Sequence, residues 1–140
     1  MLDVLQENEV TVDRLENLFK SAFMPCARTA DGDLRIDDDD GVRTWIRVDA
    51  DRKAVTMISV WAIKQSVPLE KKLTWINQLN CKLILVRFCV PQPDSLYCDY
   101  QLRYQGGLTP VQLVSSVRAF ARVCRDAASR YDPDNIIGRD

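Results

Sequence analysis

Apolar positions near the start of the chain recur at helical spacing. Val12, Leu15, Leu18, Phe19, Ala22 and Phe23 fall on one stripe, and Pro25 stops the run. Thr11 precedes them as an N-cap, with Val10 placed as a staple residue. The spacing predicts an amphipathic helix with one face to bury. A polar stretch over 27–37, with an Asp31-Gly32 turn signal inside it, reads as a short or irregular strand. The segments 42–48 (VRTWIRV) and 54–63 (AVTMISVWAI) are rich in β-branched and aromatic residues and predict two strong strands, joined by a hairpin loop over 49–53. A second helix is expected from about Pro68 to Asn80, with Leu69, Leu73, Ile76 and Leu79 as its stripe. Two more strands, 82–90 (KLILVRFCV) and 96–104 (LYCDYQLRY), flank the loop PQPDS. Gly106-Gly107 end the sheet. Thr109 and Pro110 then open a last helix that runs to about Tyr131 through Leu113, Val114, Val117, Phe120, Ala121, Cys124 and Ala128. The order is αβββαββα, an α+β class with an antiparallel sheet packed against helices.

Hairpin registers can be read from which pairing gathers apolar residues on one face. Pairing Val90 with Leu96 sets Ile84, Val86, Phe88 and Val90 beside Leu96, Cys98, Tyr100, Leu102 and Tyr104, a complete core face. It also sends Cys89 and Cys98 to opposite faces, against a disulfide between them. Pairing Val48 with Ala54 sets Val42, Thr44, Ile46 and Val48 beside Ala54, Thr56, Ile58 and Val60. The opposite face then carries Trp45, Val55, Met57, Trp61 and Ile63, with Leu83 and Leu85 from the other hairpin, bordered by Arg43, Arg47 and Arg87. A solvated antiparallel face should be polar, and one this apolar calls for a cover. The cover is either the chain's own middle helix or N-terminal residues, or a second molecule. Under the second reading Arg43, Trp45, Arg47, Met57, Trp61, Leu83 and Leu85 are the partner-binding candidates, tryptophan, methionine and arginine being enriched at interfaces.

Composition narrows the chemistry. With 140 residues the chain fits a single domain that needs no disulfide or metal, with its core over about 9–131 and a tail at 132–140. It has no histidine, which removes the commonest general base, the commonest metal ligand and every Ser/His or Cys/His arrangement. The five cysteines are scattered, without a CxxC pair, and read as small buried hydrophobes. Net charge is −1, with the acids concentrated before residue 41, so no basic footprint for nucleic acid is present. The opening MLDVLQENEV lacks the positive region of a secretory signal, and no apolar run is long enough to cross a membrane, so a cytoplasmic protein is expected.

Candidate motifs reduce to structural readings. IDDDDG (36–41) fits neither frame of a calcium loop: a glycine at position six puts Ile36 first, and starting at Asp31 puts Ile36 where glycine is required. Its aspartates are expected to stay in water at a turn that Gly41 permits. Gly106-Gly107 belong to no phosphate-loop pattern. Lys71, Lys72, Arg118, Arg122 and Arg125 read as solvated, with Arg118 and Arg122 spaced to meet an anion. No catalytic constellation, metal site or cofactor site emerges.

The αβββαββα order, the passage LTWINQLNCKLILVRF (73–88) and the closing GGLTPVQLVSSVRAFARVCRDAASRY (106–131) resemble the YbjN family, with an asparagine late in the middle helix (Asn77 or Asn80) and a last helix capped at Thr109. The resemblance implies the fold of the type III secretion chaperones, a dimeric domain, and a family labelled as bacterial sensory-transduction regulators without an established chemistry. It implies a non-enzymatic module that binds a protein or peptide partner on apolar sheet surface, with neither nucleic acid nor membrane as partner. Those chaperones are more acidic than this chain. The alternative is a small-ligand sensor or enzyme with a pocket between sheet and helices.

Overall fold

The computed structural model describes residues 3–140; Met1 and Leu2, where the stretch read for a secretory signal begins, lie outside them. After a 3-10 turn at Glu7–Glu9 come α1 (Val12–Ser21), β1 (Cys26–Arg28), β2 (Leu34–Asp37), β3 (Arg43–Asp49), β4 (Ala54–Ala62), α2 (Leu69–Lys82), β5 (Arg87–Gln92), β6 (Ser95–Arg103) and α3 (Pro110–Ser129). The polar stretch makes two short strands rather than one. Gly32 at φ +84° and the Thr29 hydroxyl, which accepts from Asp33 N–H, fold it back on itself. The strands form one antiparallel sheet in the order β1-β2-β3-β4-β6-β5.

Both outer helices start where their caps are. Thr11 Oγ1 accepts from Arg14 N–H at 3.2 Å and Thr109 Oγ1 from Gln112 N–H at 3.1 Å. All three helices cover the same side of the sheet. Leu15 and Phe19 of α1, Trp75, Ile76 and Leu79 of α2, and Leu113, Val117, Phe120 and Cys124 of α3 join one core. The strand residues in that core, among them Leu34, Ile46, Met57, Phe88 and Cys98, share one face. The other face has no helix over it.

The second hairpin has the expected register: Arg87↔Asp99, Phe88↔Cys98 and Cys89↔Tyr97. The first is shifted by one residue. Asp49, not Val48, pairs with Ala54, because Asp49 Oδ1 accepts from Arg52 N–H at 3.1 Å and Lys53 takes a left-handed conformation, closing a shorter loop. Since side chains alternate, the slip exchanges the faces of β4. Met57 therefore lies in the core, 0% exposed, and Val55 with it. Trp61 is on the helix side too, half-buried, its Nε1–H donating to Ser59 Oγ. Ile58 and Val60 turn outward instead.

Leu83 and Leu85 are not on the outer face either. α2 continues to Lys82, so 83–86 is a connecting loop in which Leu83 packs against the core and Leu85 sits at φ +71°. The buried stripe of α2 is also rotated from the expected one. Lys72, Trp75, Ile76 and Leu79 face inward, while Leu69 and Leu73 are exposed. Trp75 turns the helix by donating Nε1–H to Tyr131 C=O at 2.6 Å, and Lys72 buries its stem to reach Pro93 C=O.

The last nine residues are packed rather than trailing. Asp132 accepts from Ile136 and Ile137 N–H, Ile136 is fully buried, and Ile137 bridges Ile63 just past the end of β4. At the other end Leu5 bridges Leu108 across Gly107, where an added Cβ would lie 2.9 Å from Val4 Cγ1. Among the cysteines, Cys98 and Cys124 are the buried hydrophobes expected; Cys26 is partly buried, and Cys81 and Cys89 are exposed.

Candidate interaction face and cleft

The outer face is organised by cross-strand rows. One runs Arg35–Trp45–Ile58–Asp99–Arg87 from β2 to β5. Its centre is unexpectedly dry: Asp99 is 3% exposed although no helix lies above it. Arg87 covers it, donating Nε and Nη2 to the two carboxylate oxygens at 2.9 and 2.6 Å. A parallel pair is made by Arg47, whose Nε and Nη2 reach Asp33 at 3.2 and 3.0 Å, and Arg43 Nε reaches Asp37 at 3.2 Å. These carboxylates hold the Arg87 and Arg47 guanidinia above the usual arginine value. Arg35 lies beside Trp45 with its Nε buried and without a hydrogen-bond partner. The face is thus a strip of Trp45, Ile58, Val60 and Tyr97 framed by arginines.

Beyond the Trp45↔Ile58 pair, β3 and β4 part, while β4 continues to Ala62 against β6. The parting opens a cleft of about 670 Å³ at the end of the sheet. Trp45 enters it from the outer face and Trp61 from the helix side, with Val60 between them, Asp94 and Ser95 on one wall, and Gln65, Arg139 and Asp140 on the other. Asp140 is anchored there by Ser66 N–H at 3.0 Å and by the Ser66 hydroxyl; those hydrogen bonds hold its side-chain carboxyl below the usual range. Along this opening Val60 and Trp61 have a strand neighbour on one side only.

Of the sequence-derived candidates, Arg43, Trp45 and Arg47 lie together on the outer face and Trp61 joins Trp45 in the cleft, whereas Met57, Leu83 and Leu85 lie elsewhere. Ile58, Val60, Tyr97 and Asp99 belong to the face and were not among the candidates. The slipped register hid the first two. The alternation in β6, with Tyr97 and Asp99 opposite the core residues Leu96 and Cys98, was the available signal for the others.

Neither Cys89 nor Tyr97 on this face is poised as a nucleophile. Burial pushes both the Cys89 thiol and the Tyr97 hydroxyl up, away from the ionised forms a nucleophile needs. Three of the four aspartates of 37–40 have structural partners besides water, while Asp39 is exposed as expected. Asp38 Oδ1 accepts from Asp40 and Val42 N–H, and Asp40 pairs with Arg125 of α3. Among the described residues no three His, Cys, Asp or Glu side chains converge as a metal site would need, and no helix is long and apolar enough to cross a membrane.

The architecture defines an α+β protein with helices on one face of an antiparallel sheet and an uncovered, arginine-framed apolar strip on the other. The chain belongs to the YbjN family, whose model, described as "Putative bacterial sensory transduction regulator", matches residues 11–132. Between the two asparagines of the middle helix, Asn80 is the one with a structural task. Its side-chain amide donates to Phe88 C=O and accepts from Phe88 N–H, both at 3.0 Å, and so plugs the edge of β5. Two solved structures share the fold. One, "Crystal structure of YbjN, a putative transcription regulator from E. coli", superposes with a TM-score of 0.73 at 13% identity, over 91% of this chain and 95% of that one. The other, "Structure of the HopA1-SchA Chaperone-Effector Complex", gives a TM-score of 0.58 at 12% identity, over 79% of this chain and 87% of that one. No curated protein sequence matches the chain significantly.

Proposed function

We propose that this protein is a non-enzymatic interaction module that binds an extended segment of a partner protein along the outer sheet face and into the cleft at its end. The observation that carries this reading is the parting of β3 and β4 beyond Trp45↔Ile58. It leaves the end of β4 with a strand neighbour on one side only, beside two tryptophans. An added strand finds backbone partners along such an edge and pockets for alternate side chains. Arg43, Arg47 and Arg87 are already paired with Asp37, Asp33 and Asp99, so the strip offers a partner apolar contact rather than free positive charge. The likeness to a chaperone-effector complex supports a protein as the ligand class.

The test is a pull-down from the native cell with wild type and Trp45→Ala. Trp45 is half-buried on the outer face, so its removal should spare the fold, checked by circular dichroism. Partner recovery is expected to fall at least tenfold, the loss of one aromatic hot spot being about 2 kcal/mol or more. Equal recovery from a folded variant would move binding to another surface.

We further propose a homodimer that uses the flank of α2. Leu69 and Leu73 are more than half exposed there, and Ile84 and Leu85 follow at the helix end. Because Asn80 closes the neighbouring β5 edge at Phe88, side chains rather than strand pairing would make the contact. Sedimentation should show a dimer that Leu73→Glu converts to a folded monomer; a wild-type monomer at micromolar concentration would refute it.

A further inference from the structure

α1 ends in a Schellman turn whose key position carries an unusual residue. Met24 N–H donates to Phe19 C=O at 2.8 Å and Phe23 N–H to Lys20 C=O at 3.1 Å, the two hydrogen bonds of that motif. The motif places its C′ residue in the left-handed region, which glycine occupies freely. Here the residue is Phe23, at φ +59°. Among the described residues almost nothing packs against its side chain to compensate. Phe23 is 94% exposed, so it has left the apolar stripe of α1 on which its spacing placed it.

Immediately beside it, an apolar groove runs between the last turn of α1 and the first turns of α3. Leu18, Ala22, Pro110, Val111 and Val114 line a hollow of about 290 Å³, with Arg118 at its rim. Arg118 donates to Ala22 C=O at 3.3 Å and so ties the two helices across the groove. Val111 is itself more than half exposed. A strained, projecting aromatic ring and an adjoining hollow are two independent features of one patch. Strain of this kind clusters at functional sites.

The surroundings select the occupant. Both walls are helix ends rather than strand edges, with Ala22 C=O taken by Arg118 and Gln112 N–H capped by Thr109 Oγ1, so the groove offers an extended chain no ladder of partners. A helix, which needs none, suits it. Lys20 lies on the opposite side of α1, paired with Glu16, whereas Arg118 and Arg122 stand one turn apart along the α3 wall. A second copy related by a two-fold axis would set these arginines against one another, whereas carboxylates would complement them.

We propose that Phe23 and the α1–α3 groove form a docking site for a short amphipathic helix of a partner protein, apolar on one side and flanked by carboxylates. This surface lies on the helix side of the sheet, apart from the outer face and its cleft.

The experiment uses the full chain and two fluorescently labelled helical peptides, both with leucines at i, i+4 and i+7, one flanked by glutamates and one by lysines. By anisotropy the glutamate peptide should bind at least tenfold more tightly than the lysine peptide. Phe23→Gly should weaken it at least tenfold while raising the thermal midpoint of the protein, since glycine relieves the left-handed backbone. Val111→Glu, in the first turn of α3 where a carboxylate suits the helix, should weaken it as much without lowering the midpoint. Absent or equal binding of the two peptides, or an affinity untouched by Phe23→Gly, overturns the proposal. So does a lowered midpoint in Phe23→Gly, which would make the ring a packing residue. Self-association abolished by Phe23→Gly overturns it as well, by making a second copy the occupant.

Discussion

Met57→Lys should leave the chain unfolded, while Thr56→Lys, one residue earlier, should fold normally. Met57 stands between Ile46 and Tyr100 on the helix side of the sheet and is inaccessible to solvent. Removing a buried methionine side chain costs about 2–5 kcal/mol in itself. An ammonium with no partner in that place adds several kcal/mol more. Together these match the whole stability of an ordinary domain, about 5–15 kcal/mol. Thr56 lies on the outer face between Arg47 and Gln101, partly in water, where a lysine should change stability by less than about 1 kcal/mol. Far-ultraviolet circular dichroism and urea titration separate the two outcomes. A folded Met57→Lys would restore the register in which that residue faces outward.

Trp75→Ala is expected to cost about 3–5 kcal/mol, as truncations of large buried aromatics do. Trp75→Phe, which keeps most of the ring and removes the hydrogen bond to Tyr131 C=O, should cost about 1–2 kcal/mol. The difference between the two, measured by urea unfolding, divides packing from polar contact. Trp75 also holds the point from which the C-terminal segment departs. In Trp75→Ala, amide exchange at Lys64 and Gly138, which donate to Ile136 and Ala62 carbonyls, should accelerate more than exchange in β6. Uniform acceleration across the sheet would mean that the segment and the core open together.

The two hairpins show why one register was legible in the sequence and the other was not. In β5 and β6 only one face gathers Phe88, Leu96, Cys98 and Leu102, and a slip would bury Arg87 or Gln101. In β3 and β4 both faces are apolar, with Ile46, Met57 and Trp61 on one and Trp45, Ile58 and Val60 on the other. Either register then offers a plausible core, and the choice fell to the turn, to one Asp49 hydrogen bond and one left-handed lysine. Arg43, Trp45 and Arg47 keep their outward placement in either register, so that part of the candidate face was readable. Asp99 was readable as outward, since the expected register sets it opposite Arg87, but its burial beneath that arginine was not. The α2 stripe was misread for a related reason: a lysine at position 72 looks solvated until Pro93 supplies a carbonyl for it. The caps at Thr11 and Thr109 were readable because their chemistry is local.

The packed C-terminal segment acts as a ruler. It occupies the lane beside β4 from Ala62 onward, through Gly138 N–H to Ala62 C=O, while β3 occupies the same lane as far as Ile58. Between the two blocks lie Ser59, Val60 and Trp61. A guest strand entering there has room for about three residues, roughly 10 Å of extended chain. On the proposed reading the sheet end would take a very short word, and any longer recognition would continue over the arginine-framed face rather than along the edge.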